Sequence, residues 1–284
     1  MAGKLKREKM EAKWLIEDYE HDGSLQPLMD EVISQGMDLK IIKHKAWGYL
    51  EFDQYLNEDC VVFYGTLNTG RQIQRQKGWV PGVYCNFQNF CCSTYYSYWA
   101  KYLLNKNYIM LPLLEIKRQE NYIFDNFGID NCIFIRPNSG SKTFPGQILK
   151  QEEINKQFDL FEGYAGKSLD QIIAIISSPK VIKKEWRCIV VDKKVIAFSQ
   201  YIENDELNIK KEINTKAFSL AEKIAKEEWQ PDIAYTLDIC EFNEECFLLE
   251  ANSFSCSGLY KSDTVSIVKE VSKVALKEWK EYNE

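Results

Sequence analysis

Short apolar runs alternate with amphipathic segments over residues 12–112, and this alternation restricts the fold that the chain can adopt. Between the runs, apolar residues at helical spacing cover residues 25–35, and a polar helix is expected near Gln72. Strands that alternate with helices form parallel sheets, whose functional loops follow the carboxyl ends of the strands. The sequence therefore predicts a small parallel α/β domain over residues 13–114, with strands at 14–18, 39–42, 60–64 and 80–85.

After residue 115 the pattern changes to hairpins. A polar loop separates two strand-like runs near residue 140, and Asp192-Lys193 forms the turn of a second hairpin. These features predict an α+β domain over residues 115–284, divided into a small lobe (115–180) and a large lobe (181–284). Its further elements are a helix at 214–229, strands at 234–240 and 246–250, and a closing helix at 264–279.

Charge and composition argue against several kinds of partner. The net charge is -6, whereas a dedicated nucleic-acid binder carries a basic surplus, so nucleic acid is not the expected partner. No apolar run approaches the ~20 residues that a membrane helix needs, and no apolar stretch follows the basic N-terminus. We therefore expect a cytoplasmic protein, in the host cytoplasm if it is viral, with a flexible segment at residues 1–12. Its nine cysteines are expected to be buried thiols.

An arginine and a lysine border a loop of small residues rich in hydrogen-bond donors. Arg136 ends an apolar run, and Lys142 follows after Pro-Asn-Ser-Gly-Ser. Phosphate oxygens are bound by backbone N–H groups together with fixed positive charge. The spacing differs from that of the Gly-x-x-x-x-Gly-Lys-Ser/Thr loop. The segment predicts a phosphate-binding hairpin, and a solvated hairpin tip with incidental charges is the alternative.

Glu185 and Arg187 form a second candidate. They lie two residues apart in a predicted strand and therefore point to the same face. Arginine is suited to bidentate contact with phosphate or carboxylate groups. The alternative is an ion pair between surface strands.

A third candidate consists of oxygen ligands in two adjacent strands near the C-terminus. Asp238 lies within one apolar run, and Glu250 and Asn252 follow another. Carboxylates inside apolar strands are costly unless they bind a cation or a hydrogen-bond donor. Two carboxylates and an amide oxygen suit Mg²⁺. The alternative is that the carboxylates compensate buried arginines.

In this order, the three candidates resemble the ATP-grasp superfamily, over roughly residues 115–280. The likeness is carried by the Arg136-Pro137 strand end with its loop lysine, by Glu185-x-Arg187, by Asp238, and by Glu250-x-Asn252. It is closest to a small bacterial and viral branch with an Arg-Pro strand end, and it is more distant from RimK-type ligases. The resemblance implies an ATP-grasp fold, α/β (α+β) in class, preceded by a Rossmann-like α/β (pre-ATP-grasp) domain.

The resemblance also implies roles for the matching residues. Arg187 and Lys142 would be catalytic, and an arginine at position 136 departs from the lysine that is common in the family. Magnesium, with manganese as an alternative, would be held by Asp238, Glu250 and Asn252. ATP would contact Arg136, Lys142, Ser177, Ser178, Pro179, Lys180, Glu185 and Arg187. The substrate would contact Tyr201, Ser255, Ser257, Gly258 and Tyr260.

The activity that the resemblance implies is that of an ATP-dependent ligase. It would join a small-molecule or peptide carboxylate to an amine through an acyl-phosphate. One alternative is an ATP-binding assembly factor that has a protein partner and no ligase turnover, as in a eukaryotic branch of the superfamily. Another is phosphoryl transfer to an acceptor that is not a carboxylate.

Overall fold

The computed structural model describes residues 11–19, 24–45, 48 and 50–284. Positions 1–10 of the segment expected to be flexible lie outside these residues. Contacts divide the chain into two compact units. The first extends to Tyr84 and includes Phe254–Gly258 and Ser262–Glu284, and the second comprises Cys85–Ser253 and Leu259–Lys261. The domain boundaries expected from the sequence stay a prediction.

The first unit is built on a parallel sheet of three strands in the order β2-β1-β3. Apolar side chains of β1 are buried on both faces, as is usual for parallel sheets covered by helices. Trp14 in β1 donates from Nε1 to Oγ of Ser272 in the C-terminal helix over 3.0 Å, which ties that helix to the sheet. The elements are β1 (Lys13–Asp18), α1 (Gln26–Ser34), β2 (Leu39–Lys43), β3 (Val61–Tyr64), α2 (Leu67–Gln76) and α8 (Thr264–Asn283).

The fourth strand predicted at residues 80–85 is wrong. The chain forms only an isolated parallel bridge there, between Val62 and Gly82. Pro81 has no N–H to donate to a neighbouring strand, and Gly82 has a φ of +69°, which ends the extended conformation.

Gly65 follows β3 at a point where the chain passes close to a buried carboxylate. A Cβ atom on Gly65 would lie 2.6 Å from Cβ of Glu17 and 2.6 Å from Cζ of Phe63. Glu17 is fully buried and accepts a hydrogen bond from the Thr66 backbone N–H over 2.8 Å. It therefore has little room to move away.

Replacing Gly65 with alanine is expected to lower the free energy of unfolding by roughly 1–3 kcal/mol, because the packed site has no space for a methyl group. The matched control is Gly163→Ala, since no heavy atom lies within 4 Å of the added Cβ in that helix. The control is expected to raise the free energy of unfolding by about 0.5–1 kcal/mol. Urea denaturation measures both changes, and a Gly65→Ala variant as stable as the control would contradict the packing argument.

The second unit contains two antiparallel sheets and five of the α-helices. One sheet has the order β4-β7-β5-β6 and the other β10-β9-β8-β11-β12. The strands are β4 (Tyr108–Pro112), β5 (Cys132–Pro137), β6 (Gln147–Lys150), β7 (Ile173–Ser177), β8 (Lys184–Val191), β9 (Lys194–Glu203), β10 (Glu206–Lys210), β11 (Ala234–Phe242) and β12 (Glu245–Ser253). The helices are α3 (Cys92–Trp99), α4 (Leu113–Arg118), α5 (Glu120–Phe127), α6 (Ile154–Ala165) and α7 (Thr215–Ala225).

Helix α7 ends at Ala225, four residues before the predicted end. The ring of Trp229 stacks on Tyr98 with centroids 4.3 Å apart, which draws the chain away from the helical path. Gln230 donates from Nε2 to the carbonyl oxygens of Glu227 and Trp229, both over 2.8 Å. Aromatic packing and carbonyl capping thus replace the last predicted turn.

Two apolar cores support the sheets of the second unit. One face of the five-stranded sheet packs against α3 and α7, and one face of the four-stranded sheet packs against α4, α5 and α6. All nine cysteines lie in the described part of the chain and are free thiols, of which five are buried. Among the helices that the structure describes, none has both the length and the apolar character of a transmembrane helix.

Candidate active site

Three charged side chains lie in a row across the five-stranded sheet. The strand register pairs Arg187 in β8 with Asp238 in β11, and Asp238 with Glu250 in β12. Residues opposite one another in antiparallel strands point to the same face, so this charged row lies on one side of the sheet. The neighbouring residues Trp186 and Leu237 point to the apolar core on the other side.

A β-bulge at Leu249 makes this arrangement possible. The register shifts by one residue between the Asp238–Glu250 pair and the Ile239–Leu248 pair. Strict alternation would place Leu248 and Glu250 on the same face. Because Leu249 is extra, Leu248 is buried in the core while Glu250 joins the charged row.

Arg187 and Asp238 form a buried bidentate ion pair. Nε of Arg187 donates to Oδ1 over 2.8 Å, and Nη2 donates to Oδ2 over 2.6 Å. Both side chains are less than a tenth exposed. Burial alone would lower the pKa of Arg187, but the carboxylate of Asp238 outweighs burial and raises it. Asn252 adds a hydrogen bond from Nδ2 to Oδ2 of Asp238 over 3.1 Å.

Glu250 is shared by two cations, one in β5 and one in the loop that follows it. Oε1 lies 2.9 Å from Nζ of Lys142 and 3.3 Å from Nη2 of Arg136. Burial tends to raise the pKa of Glu250, but the charges of Arg136 and Lys142 outweigh it and lower that pKa. Glu250 is therefore held as a carboxylate.

The Arg136 guanidinium is buried with unused hydrogen-bonding capacity. Its side chain is 13% exposed. Nη1 reaches the carbonyl oxygen of Leu249 at 3.4 Å, and Nε has no partner among the residues that the structure describes. A guanidinium carries five N–H donors, and a buried donor without an acceptor costs free energy. An additional acceptor at this position would remove that cost.

The loop between β5 and β6 is anchored on both sides of Lys142. The side chain of Asn138 accepts a hydrogen bond from the backbone N–H of Ser93 over 2.7 Å, at the start of α3. On the other side, the Phe144 ring stacks on Phe161 with centroids 4.0 Å apart. Lys142 lies between these anchors with a φ of +50° and donates its backbone N–H to Ser139. The loop thus holds the lysine over the charged row.

Four of the residues expected to contact ATP, Ser177 to Lys180, lie at the end of β7 and directly after it. Ser177 ends β7, and its hydroxyl is buried without a hydrogen-bond partner in the described part of the chain. Ser178 and Pro179 lead to Lys180, whose Nζ donates to Oδ1 of Asn105 over 2.7 Å and to the Ser178 carbonyl over 3.2 Å. Burial lowers the pKa of Lys180.

Two stacked tyrosines lie beside Arg187. The rings of Tyr201 and Tyr260 are 4.7 Å apart and nearly parallel, and the Arg187 guanidinium lies 5.5 Å and 5.1 Å from their centroids. A register shift next to Tyr201 aims its hydroxyl at Glu185, to which it donates a hydrogen bond. Tyr260 has a φ of +52°.

A family model described as an "ATP-grasp domain" matches residues 119–270. The model represents the second family of one clade within the ATP-grasp superfamily. The chain belongs to this ATP-grasp family. The resemblance inferred from the sequence motifs is thereby confirmed, and so is the ATP-grasp fold class. No curated protein matches the chain.

Several solved structures share the fold of this chain at low sequence identity. D-cycloserine synthetase DcsG is 9% identical, with 93% of this chain and 99% of that chain covered and a TM-score of 0.61. The D-alanine–D-alanine ligase of Bacillus anthracis is 14% identical, with 96% and 99% covered and a TM-score of 0.58. A RimK domain ATP-grasp protein of Sphaerobacter thermophilus DSM 20745 is 9% identical, with 94% and 98% covered and a TM-score of 0.54. At these identities the likeness concerns the fold.

The residues predicted from the sequence are distributed over both units of this ATP-grasp protein. Six form two side-chain groups in the second unit, which the pairing of Asp238 with Glu250 in adjacent strands brings side by side: Arg136, Lys142 and Glu250, and Arg187, Asp238 and Asn252. Ser255, Ser257 and Gly258 belong to the first unit. There, the Ser255 hydroxyl accepts from the Tyr84 backbone N–H over 2.9 Å, and the Ser257 carbonyl accepts from the Tyr64 hydroxyl.

Two supporting residues of this ATP-grasp site were missed in the sequence. Asn105 precedes its partner Lys180 by 75 residues, and no local pattern indicates that pairing. Asn138 was recognised only as part of a polar loop. Its capping role follows from a general rule, because the first N–H groups of a helix such as α3 need acceptors from outside the helix.

The oxygen ligands of the charged row fit a divalent cation. Among the described residues, no three His, Cys, Asp or Glu side chains are grouped as a metal site, so a metal here would use two carboxylates and an amide. Asn252 donates its amide nitrogen to Asp238, which leaves its amide oxygen available as a ligand. A carboxylate oxygen has two lone pairs, so Asp238 and Glu250 retain acceptor capacity beside their arginines. A Mg²⁺ ion that keeps several waters and bridges phosphates needs few protein ligands.

Proposed function

We propose that this protein is an ATP-dependent carboxylate–amine ligase that acts through an acyl-phosphate. The observation that carries the proposal is the charged row together with Arg136 and Lys142, a set in which two carboxylates face two arginines and a loop lysine. Such a set of fixed charges can neutralise a triphosphate and its metal ion at the same time. Family membership and the fold shared with other ATP-grasp proteins support the same activity.

Buried polar groups without partners support our assignment of the nucleotide site. Within the described residues, Nε of Arg136 and the Ser177 hydroxyl are both buried without a hydrogen bond. Arg136 and Ser177 belong to the neighbouring strands β5 and β7, where Arg136 pairs with Ile175 and Phe134 with Ser177, so both side chains project from the same face. We assign Arg136 and Lys142 to the phosphates, and the segment 177–180 to the base.

The reaction has two steps. An oxygen of the substrate carboxylate attacks the γ-phosphorus of ATP, the bond from that phosphorus to the β,γ-bridging oxygen breaks, and ADP leaves. The amine nitrogen then attacks the acyl carbon, inorganic phosphate leaves, and the nitrogen loses a proton to give the amide. Arg187 would stabilise the transferring phosphoryl group, and Lys142 would close the loop over it.

Asp238, Glu250 and Asn252 would hold Mg²⁺. Bound there, the ion supplies positive charge that offsets the charge developing on the phosphate oxygens. We assign Tyr201 and Tyr260 to the acceptor substrates, and substrate contact by Ser255, Ser257 and Gly258 stays a prediction from the sequence.

An isotope-transfer experiment tests the proposal. The protein is incubated with Mg·ATP, a pool of amino acids labelled with ¹⁸O in their carboxyl groups, and a pool of unlabelled amines. We expect ADP, an amide, and inorganic phosphate that carries one ¹⁸O atom, because the acyl-phosphate leaves a carboxylate oxygen on the phosphate. Mass spectrometry of the phosphate and of the amide measures the result.

Other outcomes point to other functions. Unlabelled phosphate indicates simple ATP hydrolysis, and a phosphorylated acceptor that keeps its phosphate indicates phosphoryl transfer. Tight Mg·ATP binding without turnover, together with a stable complex with another protein, indicates an assembly factor.

A further inference from the structure

Glu185 differs from the other two carboxylates near the charged row because it has no cationic partner within the described residues. Asp238 and Glu250 each bind an arginine. Among the residues that the structure describes, only the Tyr201 hydroxyl donates a hydrogen bond to the Glu185 carboxylate, at Oε2. The second oxygen, Oε1, receives no hydrogen bond from that part of the chain. The Glu185 carboxylate can therefore accept further hydrogen bonds from a ligand.

The position of Glu185 makes an unpaired charge costly. Glu185 precedes Arg187 by two residues in β8 and points to the same face, about 7 Å along the strand. Burial raises the pKa of Glu185, and the hydrogen bond from Tyr201 partly opposes this shift. A partly buried carboxylate is stabilised when a cation pairs with it.

The surroundings of Glu185 suit an organic cation better than a metal ion. They offer one carboxylate that is not paired with an arginine, one phenolic hydroxyl and the stacked rings of Tyr201 and Tyr260, whereas the nearby carboxylates of Asp238 and Glu250 are each paired with an arginine. Mg²⁺ favours several oxygen ligands in octahedral geometry. An ammonium group on a carbon chain can instead donate to a carboxylate while its methylene groups contact aromatic rings.

We propose that Glu185 binds the ammonium group of the amine substrate. The inference rests on the proposed ligase function. The amine then lies on the same face of β8 as Arg187, two residues along the strand. Arg187 is the residue assigned to the transferring phosphoryl group. The family resemblance placed Glu185 among the nucleotide contacts, and the lack of a cationic partner in the described chain favours the amine instead.

Binding of n-butylammonium chloride tests this inference. Saturation-transfer NMR measures its affinity in the presence of Mg²⁺ and the non-hydrolysable nucleotide AMPPNP, with neutral n-butanol as the uncharged comparison. We expect Glu185→Gln to weaken n-butylammonium binding by about tenfold or more, because a charge-assisted hydrogen bond is lost. The affinity for n-butanol is expected to stay the same. The matched control is Glu206→Gln, which removes the same charge from an exposed position in β10.

Three outcomes would overturn the inference. They are an absence of n-butylammonium binding to the wild-type protein, equal binding by the wild type and Glu185→Gln, and displacement of n-butylammonium from the nucleotide-free protein by MgCl₂ alone. Glu185→Asp serves as a second variant if Glu185→Gln does not fold. Its affinity for n-butylammonium is expected to lie between those of the wild type and Glu185→Gln, because the aspartate side chain keeps the charge but is one methylene shorter.

Calorimetric titration with Mg·ATP separates this inference from the function on which it rests. Equal Mg·ATP affinity in the wild type and Glu185→Gln is the expected result. Weaker nucleotide binding by the variant would return Glu185 to the nucleotide site and refute the inference alone. A wild-type protein that does not bind Mg·ATP would refute the proposed function.

Discussion

Glu250→Gln is expected to weaken metal-dependent ATP binding by at least about 100-fold, because it removes the charge of a proposed metal ligand. The amide keeps the volume of the side chain and one acceptor oxygen. It leaves Arg136 and Lys142 without their shared carboxylate, so the free energy of unfolding is expected to fall by about 1–3 kcal/mol. Calorimetric titration of ATP with and without Mg²⁺ measures the binding, and urea denaturation measures the stability.

The control for Glu250 is Glu245→Gln, an exposed change in the same strand that is expected to leave ATP binding unaltered. Unchanged binding by Glu250→Gln would show that the metal site lies elsewhere. The stability difference also has a defined pH dependence. Because folding lowers the pKa of Glu250, the stabilisation that it provides is present above its unfolded pKa, about 4.3, and is lost as the pH falls through the folded pKa. The difference between wild type and variant should therefore shrink in acid.

Arg187→Leu is expected to destabilise the protein by about 3–5 kcal/mol, because it leaves the Asp238 carboxylate buried without its ion-pair partner. Asp238→Leu should have a cost of similar size for the opposite reason. The double variant should be considerably more stable than the sum of the single changes predicts, since it removes both charges together. A double-mutant cycle measured by urea denaturation gives the coupling between the two residues.

A partly exposed ion pair provides the comparison for this cycle. Lys226, which directly follows α7, lies 3.2 Å from Glu222 in that helix, and removing Lys226 is expected to cost no more than about 0.5 kcal/mol. Additive effects for Arg187 and Asp238 would show that the bidentate contact does not support the sheet.

Much of this fold could be predicted from local patterns. The helix α1, the hairpin turn at Asp192-Lys193 and the strand β5 follow directly from apolar spacing and turn residues. The strand predicted at residues 80–85 does not form. The prediction relied on the apolar composition of this segment, whereas Pro81 lacks a hydrogen-bond donor and Gly82 adopts a turn conformation. The predicted end of α7 was wrong because Trp229 stacks on Tyr98, and a contact between segments so far apart in sequence cannot be read from a local pattern.

The candidate site was predictable in its residue types but not in its pairing. Isolated carboxylates in apolar strands indicated a compensating cation, and the sequence left open whether that cation is a metal or an arginine. The structure pairs Asp238 and Glu250 with arginines, and the free amide oxygen and spare lone pairs leave room for a metal as well. The surroundings of Glu185 depend on side chains from β8, β9 and the segment after β12 that lie far apart in sequence, so no sequence motif could reveal them.

The extra residue in β12 lets the two halves of one hairpin vary independently. Between Leu249 and the turn at Asn243-Glu244, the strands follow one register, and beyond Leu249 they follow another. Added or lost residues at the turn can be absorbed on the turn side, whereas deleting Leu249 would invert the strand face on one side of it. Related chains can therefore differ in turn length while their carboxylates stay in place, and a missing residue at position 249 would identify a relative that has lost this chemistry.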